Sequence, residues 1–206
     1  MKVEKIISEH DPIIVAVVAD SHIPDRVDNL HPSLLNELVE CEVTLILHAG
    51  DISVKWVTTQ LEQIAPVKAV TGNRDILLSN ELPNVQRLDV FGSTLVLTHG
   101  HLNPATYWMD KFQYVTRGYS FERYQKRFKR AFPEARVVVF GHTHHAENCW
   151  LNGQLFFNPG SVSHGDYLDR TPSYGLLKFF KDGRIEAEVI PLMGAEIRAK
   201  RWVDQR

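Results

Sequence analysis

"IIVAVVADSH", Ile13 to His22, is an unbroken run of Ile, Val and Ala that ends abruptly in Asp, Ser and His. A half-exposed strand would alternate apolar with polar residues. A continuous β-branched run instead reads as a strand covered on both faces. "PSLLNELVEC" follows, with Leu34, Leu35, Leu38 and Val39 at helical spacing behind Pro32. "EVTLILHAGD" repeats the strand pattern and ends at Asp51, "SVKWVTTQLEQI" reads as a helix, and "PVKAVTGN" is a third strand ending at Asn73. This alternation predicts a parallel sheet with helices on its faces.

Beyond Asn73 the pattern changes. "NVQRLDVFGSTLVLTHG" reads as two strands joined around Phe91-Gly92-Ser93, a helical segment runs from about Tyr107 to Ala131, and "RVVVFGH" is a further strand. Asn152-Gly153 and Asp182-Gly183 are hairpin signals, so the second half is expected to be mostly antiparallel. The expected architecture is two sheets packed face to face, with helices outside, in one domain spanning 1–206.

Composition bounds the setting rather than the chemistry. The 206 residues are 44% hydrophobic and 23% charged, with a formal net charge of −2, which gives no global reason to expect nucleic acid or an anionic membrane. No apolar run approaches the roughly 20 residues that span a bilayer. "MKVEKIISEHDP" is too charged for a secretory signal, and two cysteines make no disulfide framework, so the expected location is cytoplasmic.

The chemistry-bearing residues fall where the strands end. Asp20 and His22 close the first, Asp51 the second, Asn73 the third, His99 and His101 a later one, and His142, His144 and His145 the next. Carboxyl ends of strands in α/β sheets gather around one crevice, where ligands bind. Any one of these pieces alone reads as a turn or a helix cap. Together, carboxylate, imidazole and amide oxygen suit divalent metals such as Mn²⁺, Fe²⁺ or Zn²⁺, and a central Asp can bridge two ions.

Asp-x-His, Gly-Asp, Gly-Asn-x-Asp, His-Gly and Gly-His-Thr-His, in that order, resemble the calcineurin-like metallophosphoesterases. "FFNPGSVS" makes the chain most similar to the small bacterial and archaeal phosphodiesterase subfamily. The resemblance covers about residues 13–192, with a helical insertion at about 106–132. It implies an α/β fold, an αββα sandwich of two mixed sheets flanked by helices, with two divalent metal ions. Mn²⁺ is the favoured metal, and Fe²⁺, Zn²⁺ or Ni²⁺ are alternatives. The implied ligands of the first ion are Asp20, His22, Asp51 and His144. Those of the second are Asp51, Asn73, His99 and His142, with Asp51 bridging. The implied reaction is hydrolysis of a phosphate ester, a nucleotide among the candidates, by a hydroxide held between the ions. Asp51, Asn73, Arg74 and His99 are the implied catalytic residues, and Arg74 and His101 would bind substrate.

Two departures qualify the resemblance. Many enzymes of this family have His after the Asn, where this chain has Arg74, which can clamp phosphate but cannot act as a general acid. The alternative for Arg74 is pairing with Asp75 or another carboxylate. The second departure is "YWMDKFQYVTRGYSFERYQKRFKRAF", where Phe121, Tyr124, Phe128 and Phe132 recur near helical spacing among Arg123, Lys126, Arg127, Lys129 and Arg130. It reads either as an amphipathic helix on the sandwich or as a basic wall that receives nucleic-acid phosphate. Hence two alternatives stand beside the phosphodiesterase or phosphatase: a nuclease using the same site, and a non-catalytic interaction scaffold such as the retromer subunit of this fold. Arg170 is too far beyond the Asn-Pro-Gly-Ser turn to be assigned a substrate role, and His164 is a further residue near the site, read as structural.

Overall fold

The computed structural model describes residues 3–75, 78, 80–165 and 171–205 of the chain; Arg170 lies outside them. The elements are β1 (Glu4–Ile6), β2 (Ile13–Val18), α1 (Leu34–Glu40), β3 (Leu45–His48), α2 (Lys55–Leu61), β4 (Val67–Ala69), β5 (Val85–Val90) and β6 (Ser93–Thr98). They continue with α3 (Pro104–Arg117), α4 (Phe121–Ala131), β7 (Val137–Val139), β8 (Glu147–Leu151), β9 (Gln154–Asn158), β10 (Ser173–Phe179), β11 (Ile185–Pro191), β12 (Ala195–Arg198) and β13 (Arg201–Asp204). One sheet has the order β11-β10-β2-β3-β4, the other β1-β5-β6-β7-β9-β8, and β12 and β13 form a separate pair.

The two faces of β2 explain its unbroken apolar sequence. Ile13, Val15 and Val17 point into the space between the sheets, against Leu88, Leu95, Leu97, Val139 and Phe157. Ala16 and Val18 point the other way, onto Leu34 and Leu38 of α1 and Val57 and Leu61 of α2. On the far side of the six-stranded sheet, Val96, Val138 and Phe156 pack on Tyr124, Phe128 and Phe132. The layers are therefore helix, sheet, sheet, helix, a mixed α/β sandwich. Each large apolar side chain taken fully from water contributes about 1.5–3 kcal/mol.

Three features depart from the sequence expectation. The segment expected as one helix is two, α3 and α4, because the chain turns at Gly118, whose φ of 73° ends α3. The second half is less antiparallel than expected. β7 runs parallel to both β6 and β9, since α3 and α4 return the chain across the outer face between β6 and β7. β1, β12 and β13 are short strands with charged residues among their own, and no apolar run announces them. Among the described residues no helix is long and apolar enough to cross a membrane.

Candidate metal centre

The loops that follow β2, β3, β4, β6 and β7 meet at one end of the sandwich. They are tied by backbone bonds from Asp20 N to Gly50 O (3.0 Å), His22 N to Asp51 O (3.0 Å) and Gly141 N to His99 O (3.2 Å). In these loops Asp20, His22, Asp51, His142 and His144 all adopt left-handed backbone, with φ between 51° and 71°. Such a conformation costs on the order of 1–3 kcal/mol for each non-glycine residue, so it persists only where the surroundings dictate it. Gly72 is part of that dictation. A Cβ there would lie 2.1 Å from Asp51 N and 2.2 Å from Asp51 Oδ1, so only glycine lets the two loops touch.

The side chains form two adjoining groups. In the first, His22 Nε2 lies 3.7 Å from Asp20 Oδ1, 3.7 Å from Asp51 Oδ2 and 3.1 Å from His144 Nε2, and His144 Nε2 lies 3.5 Å from Asp20 Oδ1. In the second, Asn73 Oδ1 lies 3.0 Å from His99 Nε2 and 2.9 Å from His142 Nδ1, while His99 Nε2 is 3.5 Å from Asp51 Oδ1. Asp51 thus turns one carboxylate oxygen to each group. His101 stands behind the second, its ring against those of His99 and His142.

This donor set fits divalent cations. Asp20 Oδ1 is buried without a hydrogen-bond partner among the described residues, while Oδ2 of the same carboxylate accepts from His142 N at 2.9 Å. His99 Nδ1 lies 2.7 Å from the Ala49 carbonyl and His144 Nδ1 lies 2.7 Å from the His164 carbonyl. Donating there leaves each Nε2 with a lone pair aimed into the cluster, the arrangement typical of metal-ligating histidine. Burial disfavours a charged His99 ring, yet the nearby Asp51 and Asp20 carboxylates outweigh it and hold its pKa above the ordinary value. Burial also raises the Asp51 carboxyl, despite the attraction of His99. Three ligand groups therefore share atoms close enough for coordination: Asp20, His22 and His144; Asp20, Asp51 and His99; His99, His101 and His142.

Residues that the sequence reading left aside hold this cluster in place. Asn158 donates through Nδ2 to Gly141 O (3.1 Å) and Thr143 Oγ1 (3.0 Å), which fixes the loop that carries His142 and His144. Ser161 and Ser163 both donate to the Asp20 carbonyl, each at 2.9 Å. "NPGSVS" is therefore a brace for the loops that carry Asp20 and His142, a role its position after the last motif hinted at without specifying. Asp75 does not pair with Arg74. It is buried and accepts from Ser53 N (2.6 Å) and Gly72 N (2.8 Å). The Arg74 guanidinium instead meets Asp25 at 3.1 Å, and its backbone N–H donates to Asp51 Oδ1 at 2.8 Å.

His145 stacks on Tyr119 with ring centroids 3.8 Å apart. Phe121, Tyr124, Phe128 and Phe132 line the outer core, as an amphipathic helix requires. Two of the basic residues between them are paired: Arg127 with Asp110 and the Gly100 carbonyl, and Lys126 with Glu122.

Comparison with known proteins identifies the family and the fold. The family model of the calcineurin-like phosphoesterase superfamily domain matches residues 13–182. A probable metallophosphoesterase from Methanothermobacter thermautotrophicus is 31% identical over 179 residues, which cover 86% of this chain and 92% of that protein. Vacuolar protein sorting 29 from Cryptosporidium parvum has a similar fold, with a TM-score of 0.65 at 18% identity over 88% of this chain and 98% of that one. Wild-type Vps29 from Entamoeba histolytica, solved in complex with Zn²⁺, matches with a TM-score of 0.60 at 21% identity over 87% of this chain and 99% of that one. With its motif residues drawn together at one end of a two-sheet sandwich and its sequence matched from β2 to the turn between β10 and β11, this chain belongs to the calcineurin-like phosphoesterase superfamily.

Proposed function

We propose that the chain hydrolyses phosphate esters, diesters in preference to monoesters, at a centre of two divalent metal ions. The observation that carries this reading is the position of Asp51, which offers Oδ2 to the group of Asp20, His22 and His144 and Oδ1 to the side of His99, Asn73 and His142. Asp20, His22, Asp51 and His144 would hold one ion, and Asp51, Asn73, His99 and His142 the other. Oxygen and imidazole donors of this kind accept Mn²⁺, which we favour, as well as Fe²⁺, Zn²⁺ or Ni²⁺. Such ions lower the pKa of water and neutralise charge on phosphoryl oxygens.

The chain's own residues do the rest. The carbonyls of Ala49 and His164 orient two of the imidazoles, and Asn158, Ser161 and Ser163 keep the ligand loops from opening. We assign His101, whose ring lies against those of His99 and His142, to a substrate oxygen. Arg74 stands beside Asp51 as the residue that binds the phosphoryl group. Its partner Asp25 adds a negative charge there, which disfavours the second charge of a monoester and so supports the preference for diesters.

The test is hydrolysis of bis(p-nitrophenyl) phosphate and p-nitrophenyl phosphate by metal-stripped protein, before and after addition of Mn²⁺, with Asp51→Asn as control. Metal-dependent turnover that the substitution abolishes, faster on the diester, is expected. Turnover of neither ester by metal-loaded protein would refute the reading. A second reading, a docking scaffold, is favoured by one observation: Trp108, Phe112 and Val115 stand exposed on α3. The same assay separates the two, since a scaffold binds without turnover.

A further inference from the structure

A cavity of about 700 Å³ opens beside the metal cluster, and α3 and the turn into α4 build its outer walls. His142 and His144 line it, so they belong to both the cluster and the cavity. Tyr114, Tyr119 and Tyr124 supply aromatic surface, and Val115 stands at the edge. This volume is in the range of sites that enclose a small organic molecule, well beyond what a phosphate group needs.

Contacts behind the walls hold the aromatic rings. Tyr119 stacks on His145 with an interplanar angle of 12°, and its hydroxyl donates to Glu147 at 2.8 Å. The Arg127 guanidinium lies 5.0 Å from the Tyr124 ring centre and neutralises Asp110, so the one acidic side chain among the described residues of the cavity wall has its charge matched. Positive charge lies at two points: Arg26 Nη1 is 3.3 Å from His144 Nδ1, and Lys111 Nζ lies 4.8 Å from the centre of the Tyr107 ring. A cavity with aromatic walls and cations among its lining residues suits a planar ring joined to a phosphate, because the ring takes the stacking surface and the anion takes the charges.

Resting on the phosphoesterase reading above, we infer that this cavity is the subsite for the alcohol half of the substrate, and that the preferred substrate is a phosphodiester in which one alcohol carries a planar aromatic ring, a nucleoside or an aryl group. A phosphoryl group at the cluster has His142 and His144 beside it, so one ester arm begins at the inner end of the cavity. The ring is recognised by its face, above all against Tyr114, which is the most exposed of the three tyrosines.

The experiment measures binding rather than turnover, so it is independent of whether catalysis occurs. Methyl phosphate, phenyl phosphate and thymidine 5′-monophosphate are titrated calorimetrically into the Mn²⁺-loaded protein, into Tyr114→Ala and into Tyr114→Phe. The two ring-bearing esters are expected to bind about tenfold more tightly than methyl phosphate. Tyr114→Ala should remove most of that advantage and leave methyl phosphate unchanged, while Tyr114→Phe should retain it. Equal affinity of all three ligands, or an advantage that survives Tyr114→Ala intact, overturns the subsite. Equal binding of phenyl phosphate and the nucleotide assigns it to aryl groups in general, and tighter binding of the nucleotide assigns it to nucleosides. Hydrolysis of bis(p-nitrophenyl) phosphate is followed in parallel. Turnover without a ring preference rejects the subsite alone, and a Tyr114-dependent ring preference without turnover rejects the hydrolase alone.

Discussion

Asp25 and Arg74 face each other across two ligand loops, with Oδ2 of one 3.1 Å from Nη1 of the other and both side chains nearly half exposed, 44% and 47%. Asp25 lies three residues after His22, and Arg74 directly follows Asn73, so the pair joins two loops that each bring a residue to a different half of the cluster. An exposed pair of this kind adds only about 0–1 kcal/mol to stability. Its interest is functional, since a substrate phosphate would compete with Asp25 for the guanidinium. Asp25→Asn is expected to lower KM for p-nitrophenyl phosphate about threefold or more with little change in melting temperature, and Arg74→Gln to raise KM for both esters. Unchanged KM values in both variants would show that Arg74 takes no part in substrate binding.

Metal binding should register in stability as well as in activity. Two carboxylates and several imidazoles crowd a largely buried cluster, and Asp20 Oδ1 has no hydrogen-bond partner among the described residues. A cation that binds only the folded chain, at a concentration of 100 times its Kd, stabilises it by about 2.7 kcal/mol, or about 5–10 °C for a chain of this length. Differential scanning fluorimetry of stripped protein with and without Mn²⁺ measures this, and the shift should shrink in Asp51→Asn. An equal shift in the variant would argue for a different binding site.

Gly72→Ala tests how tightly the ligand loops are packed. The added methyl would overlap the backbone of Asp51, which cannot rotate away as a side-chain tip could. Overpacking of this kind costs about 1–3 kcal/mol, and the displacement falls on the carboxylate shared by both halves. A folded Gly72→Ala protein with much weakened Mn²⁺ binding in calorimetry is the expected result. Unaltered metal affinity would mean that the loops can separate without moving Asp51.

Asn158→Ala removes the brace under the loop of His142 and His144. Residues that orient metal ligands typically influence metal affinity or activity by about 10–100-fold, and a loss of that size is expected here. Ser161 and Ser163 share one acceptor, the Asp20 carbonyl, so either serine alone should be replaceable by alanine at a small cost. The double replacement should exceed the sum of the two. Strict additivity would show that the hydroxyls do not substitute for one another.

Arg127 and Asp110 form a pair that is only 11% and 4% exposed, and it ties α4 to α3. Removing one member strands a buried charge, at a cost of about 3–5 kcal/mol. Arg127→Ala should therefore lower the unfolding midpoint strongly, and Asp110→Ala in the same chain should restore much of it. A salt-dependent rise in KM with unchanged stability in Arg127→Ala would instead place this arginine in contact with substrate phosphate.

The sequence by itself determined the layer pattern and the membership of the cluster. Residues such as Val15 and Val18 are apolar because each face of the central strands is covered, and that requirement is written locally. Asp20, His22, Asp51, Asn73, His99, His142 and His144 stand out because several strand ends in succession carry side chains of the types that can bind a metal, and chance seldom produces such a series. Where those side chains point is not local. The left-handed turn at Asp51 is held by bonds to the loop of His22 and by contact with Gly72, and the brace from Ser161 spans 141 residues of chain to Asp20. Only the tertiary structure decided that Arg74 meets Asp25 rather than Asp75, that Arg127 is buried against Asp110, and that three tyrosines enclose a cavity beside the cluster. Each of these depends on which loop lies opposite, and partners of an arginine or walls of a cavity leave no periodic trace in the chain that supplies them.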